Sequence, residues 1–254
     1  MGIDTSVIAI VTINFNNLHG LINTLESINI QKDLNFEHII IDGGSTDGSV
    51  EFLRNFNFAE NIKEKIISEP DKGIYDAMNK GIEASNAEYI MFLNSGDCFV
   101  SKTVVFQKNL AILENNFPDV VFSNIIFGKI DKPIRVWNPG ELKRYKFFLG
   151  WMPPHPSTVV KAQLFERYGY FNTDFKIAAD YDFLLRILFL NKVKSVYMHM
   201  TSVAQEPGGI SNRSIFQIFR ANAEVIKSWQ LNYRWTPYWI FLLKPLTKFL
   251  QRQF

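Results

Sequence analysis

An α/β fold with a mostly parallel, helix-covered sheet is what this sequence predicts, and three observations carry it. Short apolar runs alternate with helix-period segments through the first half, polar clusters follow several of those runs directly, and 254 residues suffice for one large domain with a sizeable core.

Val7 to Ile13 reads as a buried strand, after which Leu18, Leu21, Ile22, Leu25 and Ile28 share one helical face. Strands follow at His38 to Ile41, Lys65 to Ser68 and Tyr89 to Leu93, with a helix carrying Ile74, Ala77, Met78, Gly81 and Ser85 on one face. Phe106, Leu110, Leu113 and Phe117 mark another helix. Asp119 to Phe127 and Ile134 to Asn138 then read as strands, with Gly128 and Lys132-Pro133 marking the turn. A helix from about Asp180 to Leu190, a strand at Lys194 to Met198 and a Pro207-Gly208-Gly209 loop precede a helical end. In the tail from Trp235 to Phe254, Leu242, Leu243, Leu246, Phe249 and Leu250 fall on one face and Lys244, Lys248 and Arg252 on the other. That pattern is read as a helix lying in a membrane interface, with Trp235, Tyr238 and Trp239 at headgroup level, although a helix packed on the domain explains the same periodicity. Pro245 is tolerable if the helix begins there.

Composition narrows the function. A formal charge of +2 is too small for a nucleic-acid footprint. Cys98 stands alone, so neither an intrachain disulfide nor a cysteine zinc cluster is available, and His19, His38 and His199 have no ligand spacing. The N-terminus has no basic-then-apolar leader, and no run approaches about 18 apolar residues, so a cytoplasmic protein without a spanning helix is expected. The 23 Phe and 5 Trp exceed what most soluble domains carry, so some aromatics are expected to face something other than a core.

In an open parallel sheet, ligands collect at the carboxyl ends of the strands. Thr12-Ile13-Asn14-Phe15-Asn16-Asn17, Asp42-Gly43-Gly44-Ser45-Thr46-Asp47-Gly48 and Asn94-Ser95-Gly96-Asp97 all sit at that edge. Neither a Gly-x-Gly-x-x-Gly turn after the first strand nor a Gly-Lys-Ser/Thr loop is present, which disfavours dinucleotide oxidoreductases and P-loop enzymes. Asp42 can accept from a base N–H or from ribose hydroxyls, or it can shape a turn; for Asp47, capping the next helix is the better reading. Asp71 and Lys72 stand where a loop could meet a nucleotide, whereas Asp76 and Lys80 read as an exposed i,i+4 pair. Asp97, ending an apolar strand, has reason to stay charged if Mg²⁺ or Mn²⁺ bearing a diphosphate sits there. Cys98 beside it reads as a small core residue. Asp180 can be an N-cap or a general base. Arg186 either anchors a local carboxylate or faces a phosphate, and His155 among prolines suits a pocket or the surface.

Six segments in order, IVTINFNN, IIIDGGSTDGS, SEPDKGIYDAMNKGI, YIMFLNSGD, HPSTVV and AADYDFLLR, resemble the family 2 glycosyltransferases over about residues 6 to 212. The resemblance implies a GT-A fold and an inverting, Mg²⁺- or Mn²⁺-dependent transfer from a nucleotide diphosphate sugar. UDP-sugar is the expected donor, bound by Thr12, Asn14, Asp42, Asp71, Lys72, Asn79, Asn94, Ser95 and Gly96. It further implies Asp97 as metal ligand, Asp180 as base, and His155, Asp182 and Arg186 as acceptor or metal support. Where the signature often has a second acid, this chain has Ser95 and Gly96. Members sharing DKGIYDAMNKG and FLNSGD often extend polyprenyl-linked glycans in bacterial polysaccharide synthesis, so a glycan or polyprenyl-linked acceptor and a peripheral membrane location are expected. The implied layout is a catalytic domain over 1–232, with a donor half to about 100 and an acceptor half beyond it, then a tail at 233–254. A sugar-nucleotide pyrophosphorylase would show a Gly-rich, Arg-containing loop where Asn14-Phe15-Asn16-Asn17 stands. An inactive sugar-nucleotide-binding protein is the alternative from another class.

Overall fold

The computed structural model describes residues 7–31, 35–101, 118–128, 131–206 and 215–241. The helix expected around Phe106 to Phe117, the Pro207-Gly208-Gly209 loop and the apolar tail face from Leu242 to Leu250 lie outside them.

Strands β1 (Ile8–Asn14), β2 (Phe36–Asp42), β3 (Ile62–Ser68) and β4 (Tyr89–Phe92) form the parallel part of the sheet, as the apolar runs predict. β1, β2 and β4 are buried along their whole length, the mark of strands covered on both faces. β3 closes the edge, and exposed Lys63, Glu64 and Lys65 blunt it against further pairing. Helices α1 (Leu18–Asn29), α2 (Ser49–Asn55) and α3 (Ile74–Ala84) connect these strands. α3 sits so close to β1 that a Cβ on Gly81 would stand 2.3 Å from Val11 Cγ1.

The second half is mixed. β5 (Asp97–Phe99), β6 (Val120–Gly128), β7 (Pro133–Trp137), β8 (Val159–Lys161) and β9 (Ser195–Gln205) complete the order β3-β2-β1-β4-β8-β6-β9-β5, with β7 on β6. β8 runs antiparallel to both β4 and β6 and so joins the halves, while β9 runs parallel to β6 and antiparallel to β5. The expected strand at Lys194 to Met198 continues to Gln205, because the hydroxyls of Ser123 and Ser202 bond to each other inside the β6–β9 pair and satisfy polar groups that read as a strand end. Asp97 also departs from expectation: it opens β5 instead of ending β4, and a three-residue strand is too short to show a period.

Helices α4 (Gln163–Tyr168), α5 (Ala179–Leu184) and α6 (Ile215–Asn232) pack on this half, α5 running on into a π-helical turn at Leu185–Leu190. Aromatics fill the space between: Phe165 stacks on Phe183 at 4.4 Å, and Phe148 on Trp229 at 5.1 Å. Other large apolar side chains stay exposed, among them Phe15, Phe216, Phe219, Trp235, Tyr238 and Trp239. The beginning of the expected tail belongs to the body of the domain, since Ile240 is fully buried in the main core and Trp239 Nε1 donates to the Phe148 carbonyl at 2.7 Å. Among the described residues no helix is long and apolar enough to cross a membrane.

Candidate active site

The ends of β1 and β2 and the loop after β4 are tied by one side chain. Asn14 donates from Nδ2 to Asp42 Oδ1 at 2.8 Å and to Ser45 Oγ at 3.2 Å, and its Oδ1 accepts from Ser95 Oγ at 2.9 Å. Asp42 has no exposed surface and is saturated, accepting also from Ser45 Oγ, the Gly44 and Ser45 N–H groups and Ser68 Oγ. Burial raises its pKa, but the bonds from Ser45, Asn14 and Ser68 outweigh it and leave the carboxyl below its ordinary value. Asp42 therefore shapes the loop and does not reach outward to a base. Thr12 is likewise turned in, its hydroxyl paired with His38 Nε2 at 3.0 Å. Asp47 stands one residue before the N-cap Gly48 and accepts from the first N–H of α2, at Ser49, and from the first N–H of α1, at Leu18.

What faces outward here is Phe15, 63% exposed, beside Gly43, Gly44 and Asp71. A Cβ on Gly43 would lie 2.5 Å from Asp71 Oδ2, so the missing side chain is what lets that carboxylate close on the β2 loop. Asp71 Oδ1 accepts from the Gly73 N–H and Asp76 Oδ2 from the Lys72 N–H, which fixes the loop and leaves Lys72 exposed. Lys80 makes the expected pair with Asp76 at 3.9 Å and a closer one with Glu69 at 2.7 Å.

The loop Asn94–Asp97 turns through Gly96 at φ +100°, a left-handed conformation suited to glycine. Asp97 is only 3% exposed, and burial pushes its carboxyl up to about 7 despite bonds from Gln205 and the Asn94 N–H. Asp97 Oδ2 and Asn94 Oδ1 are buried with no hydrogen-bond partner among the described residues. Two orphaned oxygens are the hard donors that Mg²⁺ and Mn²⁺ take, and a cation would offset the cost of an ionised buried carboxylate. The residues thus fit such an ion, although no group of three or more His, Cys, Asp or Glu able to hold one occurs among the described residues. Glu206, which sequence reasoning missed, puts Oε2 at 3.4 Å from where a Gly96 Cβ would be. Its signal was the acid directly after the last β9 residue.

Asp180 is the second residue of α5, not its cap; the N-cap is Ala178, which has no capping side chain. Asp180 Oδ1 accepts from the Tyr181 N–H at 2.8 Å and from Tyr75 Oη at 3.4 Å. His155 stacks on Phe92 at 5.3 Å, with its Nε2 buried and unpartnered among the described residues. Burial lowers its pKa and the Asp180 charge opposes the fall, which places the ring within electrostatic reach of that carboxylate.

Residues 9–173 match the family model described as glycosyl transferase family 2. The chain belongs to glycosyl transferase family 2. The matched span covers the three strand-end loops and His155 and stops short of Asp180. This family 2 chain is 34% identical over 181 residues to an uncharacterized glycosyltransferase of Mycobacterium tuberculosis, covering 70% of this chain and 68% of that one. It is 28% identical over 198 residues to a PGL/p-HBAD biosynthesis glycosyltransferase of Mycobacterium bovis, covering 77% and 75%. Among solved structures, S. aureus TarS 1-349 in complex with UDP superposes with a TM-score of 0.68 at 15% identity, covering 94% of this chain and 72% of that one. The chain spans 43% of the longer TarS structure. The mannosyltransferase PcManGT of Pyrobaculum calidifontis, solved with GDP-Man and Mn²⁺, gives 0.65 at 14%, covering 95% and 69%. These likenesses establish the GT-A fold.

Three expected site residues of the glycosyltransferase serve the scaffold. Asn79 clamps the Phe171 backbone, donating to its carbonyl and accepting from its N–H, which engages both ends of its amide. Asp182 is buried and accepts from Arg186 Nε, Ser228 Oγ and Asn232 Nδ2. Arg186 also donates to the carbonyls of Tyr168, Gly169 and Tyr170, so its local-anchor reading holds. The two side chains thus bond each other, and between them tie α5 to α6 and to the turn after α4.

Proposed function

We propose that this chain is an inverting glycosyltransferase that moves a sugar from a nucleoside diphosphate sugar, with UDP-sugar as the first expectation, to an acceptor hydroxyl. The observation that carries the reading is the Asn14-centred network, which locks the Asp42 and Ser95 loops together and leaves an outward rim of Phe15, Gly44 and Asp71. Phe15 offers a flat apolar face to a base and Asp71 a carboxylate to its N–H groups; Lys72 is free to meet phosphate. UDP in TarS and GDP-Man in PcManGT support a nucleotide-sugar donor.

In this reading Asp180 takes the proton of the acceptor hydroxyl as its oxygen attacks the anomeric carbon from the side opposite the departing diphosphate, and a single displacement inverts that centre. Asp97 and Asn94, with Glu206 beside Gly96, would hold Mg²⁺ or Mn²⁺, donor phosphate and water completing the shell. When bound, such an ion supplies charge neutralisation for the leaving diphosphate. His155, neutral beside Asp180, lines the floor under the acceptor. The acceptor we propose is a lipid-linked glycan met at the cytoplasmic face of a membrane, with a catalytic domain that runs past residue 232 to include the buried Ile240. The name of the mycobacterial relative, a PGL/p-HBAD biosynthesis enzyme, supports a glycolipid-directed role.

The test is a thermal-shift and donor-hydrolysis screen of UDP- and GDP-sugars with and without Mn²⁺. A ligand at about 100 times its dissociation constant stabilises by about 2.7 kcal/mol. A donor that both stabilises and is hydrolysed supports an enzyme, and one that stabilises without turnover leaves a binding protein. Loss of the Mn²⁺ increment in Asp97→Asn is expected; an unchanged increment would remove Asp97 from the metal site.

A further inference from the structure

The helix that carries Asp180 has no capping side chain at its N-cap, and the segment leading into it is held from another helix. α5 starts after Ala178, which has no side-chain acceptor, so the N–H groups ahead of it need partners from elsewhere. Glu224, in the middle of α6, supplies them. Its Oε2 accepts from the Ile177 N–H at 2.8 Å, the Ala178 N–H at 3.0 Å and the Lys176 N–H at 3.1 Å, and Oε1 shares the last at 3.1 Å. Arg220, one turn earlier on α6, holds Oε1 at 3.2 Å. The carboxylate is 9% exposed and lies where the N-terminal dipole of α5 favours negative charge.

We propose that Glu224 is a positioning residue for Asp180, a carboxylate from another helix that anchors the backbone of residues 176–178 and so fixes where α5 begins and how its first turn presents Asp180. This rests on the reading of Asp180 as the base. With Glu224 in place, Asp180 accepts only from the Tyr181 N–H and Tyr75 Oη, and Oδ2 takes no hydrogen bond among the described residues. The link is reciprocal, since Asp182 on α5 reaches back to Ser228 and Asn232 on α6. Acceptors at both ends of the contact fix α5 along its axis as well as in its tilt.

The decisive variant is Glu224→Gln, which keeps size but turns an N–H₂ donor toward a row of N–H donors. Arg220→Ala, at a half-exposed position, is the milder companion should the first fail to fold. Both are expected to keep UDP affinity by calorimetry within about twofold, while kcat falls by about ten- to a hundredfold in Glu224→Gln and less in Arg220→Ala, with donor KM unchanged. The rate is UDP or GDP release from whichever of UDP-glucose, UDP-galactose, UDP-N-acetylglucosamine and GDP-mannose the unmodified protein turns over. The limb of the kcat pH profile that reports the base is expected to move, and amide exchange at Lys176, Ile177 and Ala178 to quicken. Joined to Asp180→Asn, Glu224→Gln should add no further loss, because a residue acting through Asp180 has nothing left to act through. Additive losses, or a folded Glu224→Gln with unchanged kcat and pH profile, would overturn the positioning role. A fully active Asp180→Asn would instead sink the assignment of the base, a separate failure.

Discussion

Two carboxylates at this site differ in what surrounds them, and that difference sorts their roles. Asp42 spends every lone pair on the β2 loop, whereas Asp180 keeps one oxygen without a hydrogen bond among the described residues and makes no cap. Asp180→Asn is therefore expected to leave UDP affinity intact and lower transfer by at least about a hundredfold, the smaller end for loss of a general base; full activity measured by product formation would leave only a packing role. A second consequence concerns acid. His38 is fully buried, and burial pushes its imidazole from 6.5 down to about 3. Between those values the unfolded chain binds a proton that the folded chain refuses. The stability is thus present above about 6.5 and is lost as the pH falls toward 3, by up to about 1.4 kcal/mol per unit. Urea denaturation at pH 7 and pH 5 should show a larger drop in the unmodified protein than in His38→Gln, and parallel losses would contradict this. At this scale the sequence was legible where one residue does one job, as with Asp47 and the Asp76–Lys80 pair. It misled where a side chain's direction matters: nothing in a linear string says that Thr12 and Asp42 turn inward or that Asn79 holds the Phe171 backbone.

Among elements, the parallel strands were readable because burial on both faces leaves uninterrupted apolar runs, and α1 and α3 because each keeps one apolar face. β5 and β8 were not, since three residues carry no period, and β9 was cut short by polar residues that find partners only across the sheet. α2 was readable only from the polar cluster ahead of it, because its buried residues are only Ser49 and Leu53. α3 meets β1 at Gly81, which lies directly against Val11. A methyl on Gly81 would overlap Val11, so Gly81→Ala should cost about 1–3 kcal/mol despite the better helix propensity of Ala. Adding Val11→Ala should recover part of that loss in the midpoint of chemical denaturation, and a neutral or stabilising Gly81→Ala would show that α3 can shift outward.

For the molecule as a whole, the aromatics split between core and surface. Phe216, Phe219, Trp235, Tyr238 and Trp239 remain exposed near the end of the described chain, and Phe219 lies against Phe241 at 5.5 Å. Because Ile240 is buried in the core, removing everything after Asn232 would open the domain, and the better truncation ends at Phe241. Full-length protein is expected to co-sediment with anionic liposomes and to be partly released by salt, the basic tail residues contributing about 1 kcal/mol each, while the chain ending at Phe241 stays largely in the supernatant. Equal sedimentation of the two forms would move the membrane contact onto the exposed aromatics of the domain itself. The pairing of β5 with β9 has a different reach. Asp97 is set against Gln205, so the loop proposed to meet the diphosphate is braced by a segment synthesised long after it. A nascent chain halted before β9 can complete the four parallel strands and their helices, because each pairs with a neighbour already made. It cannot complete the Asn94–Asp97 loop. During translation the loop proposed to meet the diphosphate is therefore completed well after the rim proposed to meet the base.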